Sequence, residues 1–343
     1  MLANLQVKVL MKPNYWLSAI AMLTLSLSGC GSGTETGTGT NTSETTPTAT
    51  ASPASASSGD KKLKVVVSHS VLCDLVGEVA KDKVDLNCLI NPDQDPHVYE
   101  GKPSDRQALE QASIVFYAGL NFDTAIVKMV EATKTPAPKL ALHDLGTVKK
   151  LTLLHDGKTE TDPHVWHNVK NGIKMVEIIK ENLVKVDPNN GAEFTKNATA
   201  LEAQLKAMDA WIPQQIATIP EKQRRLVTTH DALGYYADAY GLKIADTLLG
   251  VSTEEEPTAA KVKSLTEGIK KQNVPIVFAE VTANDKVLKT VANEAKVKIA
   301  DQELYADGLG KKGTATGTYI GMLESNTCAI ANGLGGKCTP FKP

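Results

Sequence analysis

Aromatic residues are scarce: Phe, Trp and Tyr make up 5% of the 343 residues. A base-stacking platform for single-stranded nucleic acid is therefore not expected. Neither sign of charge dominates. Lys and Arg number 37 against 39 Asp and Glu, a formal net charge of −2, and no long basic run occurs. A nucleic-acid partner is not expected. No apolar stretch reaches the roughly 20 residues that a membrane-crossing helix needs, which excludes a multi-span membrane protein. The chain contains no HExxH, no Gly-x-Ser-x-Gly and no glycine-rich phosphate loop, so several common enzyme signatures are missing. Its five cysteines form no CxxC pair of the kind that holds structural zinc.

What remains is ordinary globular composition, 42% hydrophobic and 22% charged, enough to bury one large or two medium cores. The first thirty residues stand apart from it. Lys8 and Lys12 precede a short apolar run over 16–27, which reads as a signal-peptide core. The run ends in Leu27-Ser28-Gly29-Cys30, which resembles a bacterial lipobox with Cys30 as the lipidated first residue of the mature chain. An ordinary signal peptide with an incidental cysteine is the plain alternative, and either Met1 or Met11 can serve as the start. Residues 31–60 hold no large apolar or aromatic side chain. They cannot offset their own ordering entropy and read as a flexible tether. The expected protein is extracytoplasmic, periplasmic or on the cell surface, and held to a membrane by lipid. In an oxidising compartment Cys73, Cys88, Cys328 and Cys338 are disulfide candidates. Of the three connectivities, 73–88 with 328–338 joins partners close in sequence.

From residue 61 short β-like runs alternate with helical patterns, which predicts an α/β fold with parallel strands. Strands are expected over 63–68, 84–90, 113–118 and 139–142, with helices near 70–81, 104–112 and 121–133. Ser104 with Gln107 reads as a capping box for the second of these helices. Helices then run over 169–184 and 192–218, the latter with Leu201, Leu205, Met208 and Ile212 at three- and four-residue steps and with Pro213 inside it, where a kink or an earlier stop is expected. Four more strands follow, over 225–229, 242–247, 275–279 and 297–300, with helices near 231–240, 257–272, 284–296 and 318–333. The expected architecture is two lobes, each with a four-stranded parallel sheet. An N-terminal lobe over 61–187 and a C-terminal lobe over 220–343 are joined by a long helix over 188–219. Ligands of such sheets bind outside the carboxyl ends of the strands.

Seven histidines are present. Two occur in a repeated phrase, Asp95-Pro96-His97-Val98-Tyr99 and Asp162-Pro163-His164-Val165-Trp166. A third, His230, ends a predicted strand and opens the segment His230-Asp231-Ala232-Leu233-Gly234-Tyr235. Imidazoles on three loops suit a borderline cation such as Zn²⁺, although any one of them taken alone reads as a helix-start or surface histidine. These phrases, with Glu100, Pro103-Ser104-Asp105 and Leu304-Tyr305-Ala306-Asp307-Gly308-Leu309, resemble the motifs of the metal-binding solute-binding proteins of zinc and manganese ABC transporters. The resemblance covers about 62–334, with four motifs in order.

That resemblance implies a protein that is not an enzyme, binds a metal between two lobes and delivers it to an ABC permease with its ATPase, working as a monomer. It places the metal ligands on His97, His164, His230 and Asp307, with Asp301 and Glu303 as the nearest rivals of Asp307. His in the third position favours Zn²⁺; Mn²⁺ is the alternative cargo. Metallohydrolysis and a metal-stabilised surface adhesin are the alternatives from other classes. Asp95 and Asp162 are candidates to orient the ligand imidazoles, and equally read as turn openers. Glu280 is a further orienting candidate. His155 and His167 flank His164, and transient contact with the metal is the minor reading for them. Glu254–Glu256 read as a solvated helix start. Gly-Leu-Gly after Asp307, where relatives have Ser-Leu-Ser, is expected to loosen that loop.

Overall fold

The computed structural model describes residues 62–92, 94–155 and 158–342. The leader, Cys30 and the tether lie outside them. Strand β1 (Leu63–Val67) is followed by α1 (Ser70–Ala80), β2 (Val84–Cys88), α2 (Pro103–Gln111), β3 (Ile114–Tyr117), α3 (Thr124–Ala132), β4 (Lys139–Ala141) and α4 (Leu142–Gly146). The four strands form one parallel sheet in the order β2-β1-β3-β4, with Val65 opposite Leu86 on one side and Ile114 on the other. The buried run Val65-Val66-Val67 is what a strand covered on both faces requires. A short antiparallel hairpin, β5 (Thr152–His155) with β6 (Lys158–Thr161), is an element the sequence reading passed over. Two helices follow, α5 (Val169–Val186) and the 27-residue α6 (Gly191–Ala217).

The second half comprises β7 (Arg225–Thr228), α7 (Gly234–Tyr240), β8 (Lys243–Thr247), α8 (Ala259–Gln272), β9 (Ile276–Val277), α9 (Lys286–Ala295), β10 (Lys298–Ile299) and α10 (Tyr319–Gly333). β7 pairs with β8 and β9 with β10, all parallel. A parallel bridge between Thr228 and Phe278 joins the two pairs, which gives the order β8-β7-β9-β10. The fold is therefore α/β with two lobes, each built on four parallel strands, and a long helix between them. The second sheet is the sparser one, because β9 and β10 hold only two residues each.

Helix α6 buries Phe194, Ala198, Leu201, Leu205, Met208, Ile212 and Ile216, spaced by three and four residues as one helical face demands. These side chains belong to one continuous core that also takes in Val71 and Leu75 of α1, Met175 and Ile179 of α5 and Leu323 and Ile330 of α10. Pro213 does not end the helix, which runs on to Ala217. Pro213 supplies no N–H to the carbonyl of Asp209, whose side chain meanwhile accepts from Tyr240 Oη at 3.0 Å. Helix α2 starts at Pro103 rather than at Ser104. Its N-cap is Lys102, whose amide donates to Asp105 Oδ2 at 2.8 Å; the expected box of Ser104 and Gln107 does not form, since the helix starts one residue earlier with Pro in the favoured first position. Disulfides link Cys73 on α1 to Cys88 ending β2, and Cys328 on α10 to Cys338.

Candidate metal site

The loops that leave the carboxyl ends of the strands converge between the lobes. His97 lies in the long loop after β2, where Asp95 Oδ1 accepts its backbone N–H at 2.9 Å and closes a tight turn. His164 lies ahead of α5, and Asp162 Oδ1 receives both its backbone N–H and its ring Nδ1–H, each at 2.9 Å. His230 follows β7. Glu280, just beyond β9, accepts its backbone N–H at 3.1 Å through Oε1 and its ring Nδ1–H through Oε2. Asp307 sits in the segment that runs from Leu304, whose backbone pairs with Glu280.

These arrangements fix the tautomers. With Nδ1–H given to a carboxylate, the neutral forms of His164 and His230 offer the Nε2 lone pair. The Nε2 atoms of His97 and His230 stand 3.2 and 3.3 Å from that of His164. Asp307 Oδ1 lies 3.6, 3.3 and 3.2 Å from the Nε2 of His97, His164 and His230. One donor atom from each of the four residues falls within 4.8 Å of all the others. A tetrahedron of ligands about 2.0–2.1 Å from a central Zn²⁺ has edges of about 3.3–3.4 Å, so the spacing fits a single small cation. Among the described residues no amide or hydroxyl donates to either oxygen of Asp307.

The electrostatics follow from enclosure. His164, His230 and Asp307 are fully buried. Burial by itself drives the imidazole of His230 down, but Asp307 and Glu280 outweigh it and hold the group well above its usual range. His164 is raised in the same way against burial, by Asp162 and Asp307. Burial pushes Asp307 up, and the nearby imidazoles, His230 foremost, more than reverse that and hold it well below the usual carboxylate range. The raised imidazoles of His164 and His230 and the ionised Asp307 thus create a space in which either protons on the rings or a cation balance the charge.

The floor of the site is aromatic. The Phe122 ring lies 4.9 Å from that of His97 and 5.6 Å from that of His164, and Trp166 lies 5.5 Å from His164. Phe122 is delivered by a turn in which Gly119, Leu120 and Asn121 all have left-handed φ, at 85°, 50° and 59°, a costly conformation for Leu. Behind this floor His69 and His143 face each other, Nε2 to Nε2 at 3.2 Å. Burial holds His69 down at about 3 and His143 well below its usual value, so both are neutral. Nothing in the sequence marks this pair or Phe122, because a single buried ring leaves no periodic signal. On the open side a cleft of about 450 Å³, lined by His97, Asn121, Thr161, Pro163 and Ser252, reaches the site.

The remaining candidates from the sequence divide, some placed as expected and some not. Asp95 does not touch the ring of His97; it serves the turn, and its Oδ2 accepts from Thr253 Oγ1 at 2.5 Å. Asp162 does both things that were open for it. His167 does not turn toward the metal ligands: its Nε2 donates to the Ala306 carbonyl at 2.8 Å. The side chain of His155 lies outside the described residues. Asp301 and Glu303 are exposed and line a separate cleft with Asp285 and Lys289. Glu254, Glu255 and Glu256 are exposed ahead of α8. The glycines after Asp307 do not loosen the loop. A Cβ on Gly308 would lie 3.0 Å from Ser70 Oγ, and one on Gly310 would lie 2.0 Å from Thr316 Oγ1, so the chain is packed too closely there for a side chain.

Two lobes of parallel strands that enclose three imidazoles and a carboxylate define a metal-binding protein of the solute-receptor kind. The family described as "ZnuA: Zinc-uptake complex component A periplasmic" matches residues 65–333, and the chain belongs to it. The manganese-binding lipoprotein MntA of Halalkalibacterium halodurans is 32% identical over 79% of this chain and 88% of its own length. The manganese ABC transporter substrate-binding lipoprotein PsaA of Streptococcus pneumoniae is 32% identical over 80% of this chain and 90% of its own. Among solved structures, the periplasmic zinc-binding protein TroA from Treponema pallidum superposes with a TM-score of 0.75 at 32% identity, covering 80% of this chain and 99% of that one. Fe(III)-bound YtgA from Chlamydia trachomatis does so with a TM-score of 0.72 at 25% identity, covering 81% and 99%. The protein is accordingly a metal-binding substrate-binding lipoprotein of an ABC transporter, extracytoplasmic and membrane-anchored, and not an enzyme. Membership implies a cognate permease and ATPase. Among the described residues no helix is long and apolar enough to cross a membrane.

Proposed function

We propose that the protein captures one Zn²⁺ between its lobes through His97, His164, His230 and Asp307 and passes it to the permease of an ABC importer. The observation that carries this reading is the convergence of three Nε2 atoms and one carboxylate oxygen at 3.2–3.6 Å. Three nitrogens and one oxygen in a closed, tetrahedral-sized shell suit zinc, whereas Mn²⁺ favours more oxygen ligands and six-fold coordination. With no position left for a reacting water, the shell stores the ion rather than activating it. Asp162 and Glu280 act through the imidazoles they hold, so the charge around a divalent cation is more than balanced. Cys30 carries the lipid, and 31–60 tether a folded part that works as a monomer. That part divides into lobes over 61–187 and 220–343 and a connecting helix over 188–219. The core continuous through α1, α5, α6 and α10 supports release by loop shifts and a small lobe rotation, not wide opening.

Manganese is the second reading, supported by the printed names of MntA and PsaA. A competition titration of the metal-free protein with Zn²⁺ and Mn²⁺ separates the two. One tight equivalent of zinc, strongly weakened by His230→Ala, is expected. Tighter manganese binding at the same ligands would keep the transport role and change the cargo, and no stoichiometric uptake of either ion would overturn the site.

A further inference from the structure

The stretch that carries Asp307 begins in the second lobe and is fastened to the first. At its start the Leu304 backbone pairs with Glu280. Beyond that, His167 Nε2 donates to the Ala306 carbonyl at 2.8 Å. The Leu309 amide donates to Ser70 Oγ at 3.0 Å. His167 precedes α5 and Ser70 opens α1, so both belong to the first lobe. Between the two clamps lies Gly308, where a Cβ would come within 3.0 Å of Ser70 Oγ and 3.5 Å of the Pro92 carbonyl oxygen. Asp307 is thus flanked on both sides by hydrogen bonds to the lobe that supplies His97 and His164. His230 is held otherwise. Its backbone N–H and ring Nδ1 both go to Glu280, and its carbonyl accepts from Thr228 Oγ1 at 2.8 Å, all within the second lobe.

We infer that His167 is a positioning residue that, with Ser70, pins the Asp307 loop to the first lobe. Asp307 then stays assembled with His97 and His164 when the cargo is absent, and His230 is the ligand that departs and returns. The inference rests on the four-ligand reading of the site. A donor at position 167 fixes the proton on Nε2 and the ring orientation together, and a carboxylate held in place beforehand spares the ordering cost at the moment of capture. An apolar residue of similar size would fill the space but leave a buried carbonyl without its donor.

Cobalt(II) is a suitable probe, since its visible absorption is intense in a four-coordinate tetrahedral site and weak in a site of higher coordination. The full-length chain, stripped of metal, is titrated with cobalt and in competition with zinc as wild type, His167→Leu, His167→Gln, Ser70→Ala and His230→Ala. Losses of about 10- to 100-fold in affinity are expected for His167→Leu and Ser70→Ala, in the range of outer-shell partners, with a fall in cobalt absorption as the carboxylate drifts off. Gln, whose amide nitrogen reaches the place of Nε2, restores most of both. His230→Ala is expected to keep one weak equivalent on the remaining three ligands, and adding His167→Leu to it removes that equivalent. A wild-type chain that takes up no cobalt would sink the four-ligand reading and this inference with it. A wild type that binds while His167→Leu matches it in affinity and spectrum, or while Gln restores nothing, would overturn the inference alone. Should His167→Leu not fold, a Ser70→Ala chain with unchanged affinity and spectrum does the same.

Discussion

The first lobe carries six of the seven histidines, at 69, 97, 143, 155, 164 and 167, and the second carries only His230. The contrast extends to the sheets. In the first lobe β1 and β2 pair over five residues, from Leu63 with Val84 to Val67 with Cys88. In the second lobe β9 and β10 meet over two. Yet each lobe solves the same problem in the same way: an imidazole of the candidate site held by a buried carboxylate, Asp162 for His164 and Glu280 for His230. Orientation of a ligand thus depends on one local hydrogen bond and not on the extent of the sheet beneath it. The first lobe adds an aromatic floor and a neutral histidine pair, while the second adds the carboxylate of Asp307.

Removing one ligand from each side tests that symmetry most severely. If a zinc site of four ligands is worth about 10–16 kcal/mol, each ligand accounts for about 3–4, or two to three decades of affinity. His164→Ala and His230→Ala are both expected to lose that much in a zinc competition titration; a loss confined to His164→Ala would leave Asp307 as the second lobe's whole contribution. The two disulfides come next. Removal of Cys73–Cys88, which closes a 15-residue separation, is expected to cost about 3 kcal/mol in denaturant unfolding, and removal of Cys328–Cys338, separated by 10, slightly less. A clear reversal of that order would show that the lobes differ in strain or in residual unfolded structure, and not only in loop length.

The orienting carboxylates give a smaller effect. Asp162→Asn and Glu280→Gln are each expected to weaken zinc about 10- to 100-fold without changing its stoichiometry. Equal losses sustain the comparison between the lobes, and a loss in one alone breaks it. The smallest effect is the dependence on pH. In the metal-free protein His164 and His230 hold protons above the ordinary imidazole range of about 6.5, and Asp307 is ionised throughout. Zinc must displace those protons, so affinity falls as pH falls, and the decline starts above pH 6.5. Titrations at pH 8, 7 and 6 measure the slope. A flat profile over that interval would contradict the raised imidazoles, and Asp162→Asn is expected to move the onset downward.

Much of this was legible in the sequence because it repeats or alternates. Asp-Pro-His-Val with a following aromatic occurs twice, and the two copies stand side by side as His97 and His164. The apolar stripe of α6 is readable at three- and four-residue steps, and only Pro213 argued against its full length. The hairpin Thr152–Thr161 carries no sequence signal, since Thr-Leu-Leu-His and Lys-Thr-Glu-Thr are four-residue runs without apolar–polar alternation. Asp95 and Asp162 share a motif, yet only Asp162 reaches an imidazole ring. Motif identity fixes the turn, while the rest of each carboxylate's bonding depends on tertiary neighbours, such as Thr253 for Asp95. His69, His143 and His167 were unreadable for the reason that they act across long separations: 74 residues part His69 from His143, and 139 part His167 from Ala306.

The stretch from Leu304 to Leu309 also sets a length. Leu304 is tied to Glu280 in the second lobe and Ala306 to His167 in the first, and the two residue steps between these ties reach at most about 7 Å when drawn straight. It therefore acts as a strap. The lobes can part only until it is taut, after which further travel must break a clamp or peel Leu304 from its strand. How far the receptor can open is written into the count of residues between two hydrogen bonds, and inserting glycines between Leu304 and Ala306 would lengthen its stride.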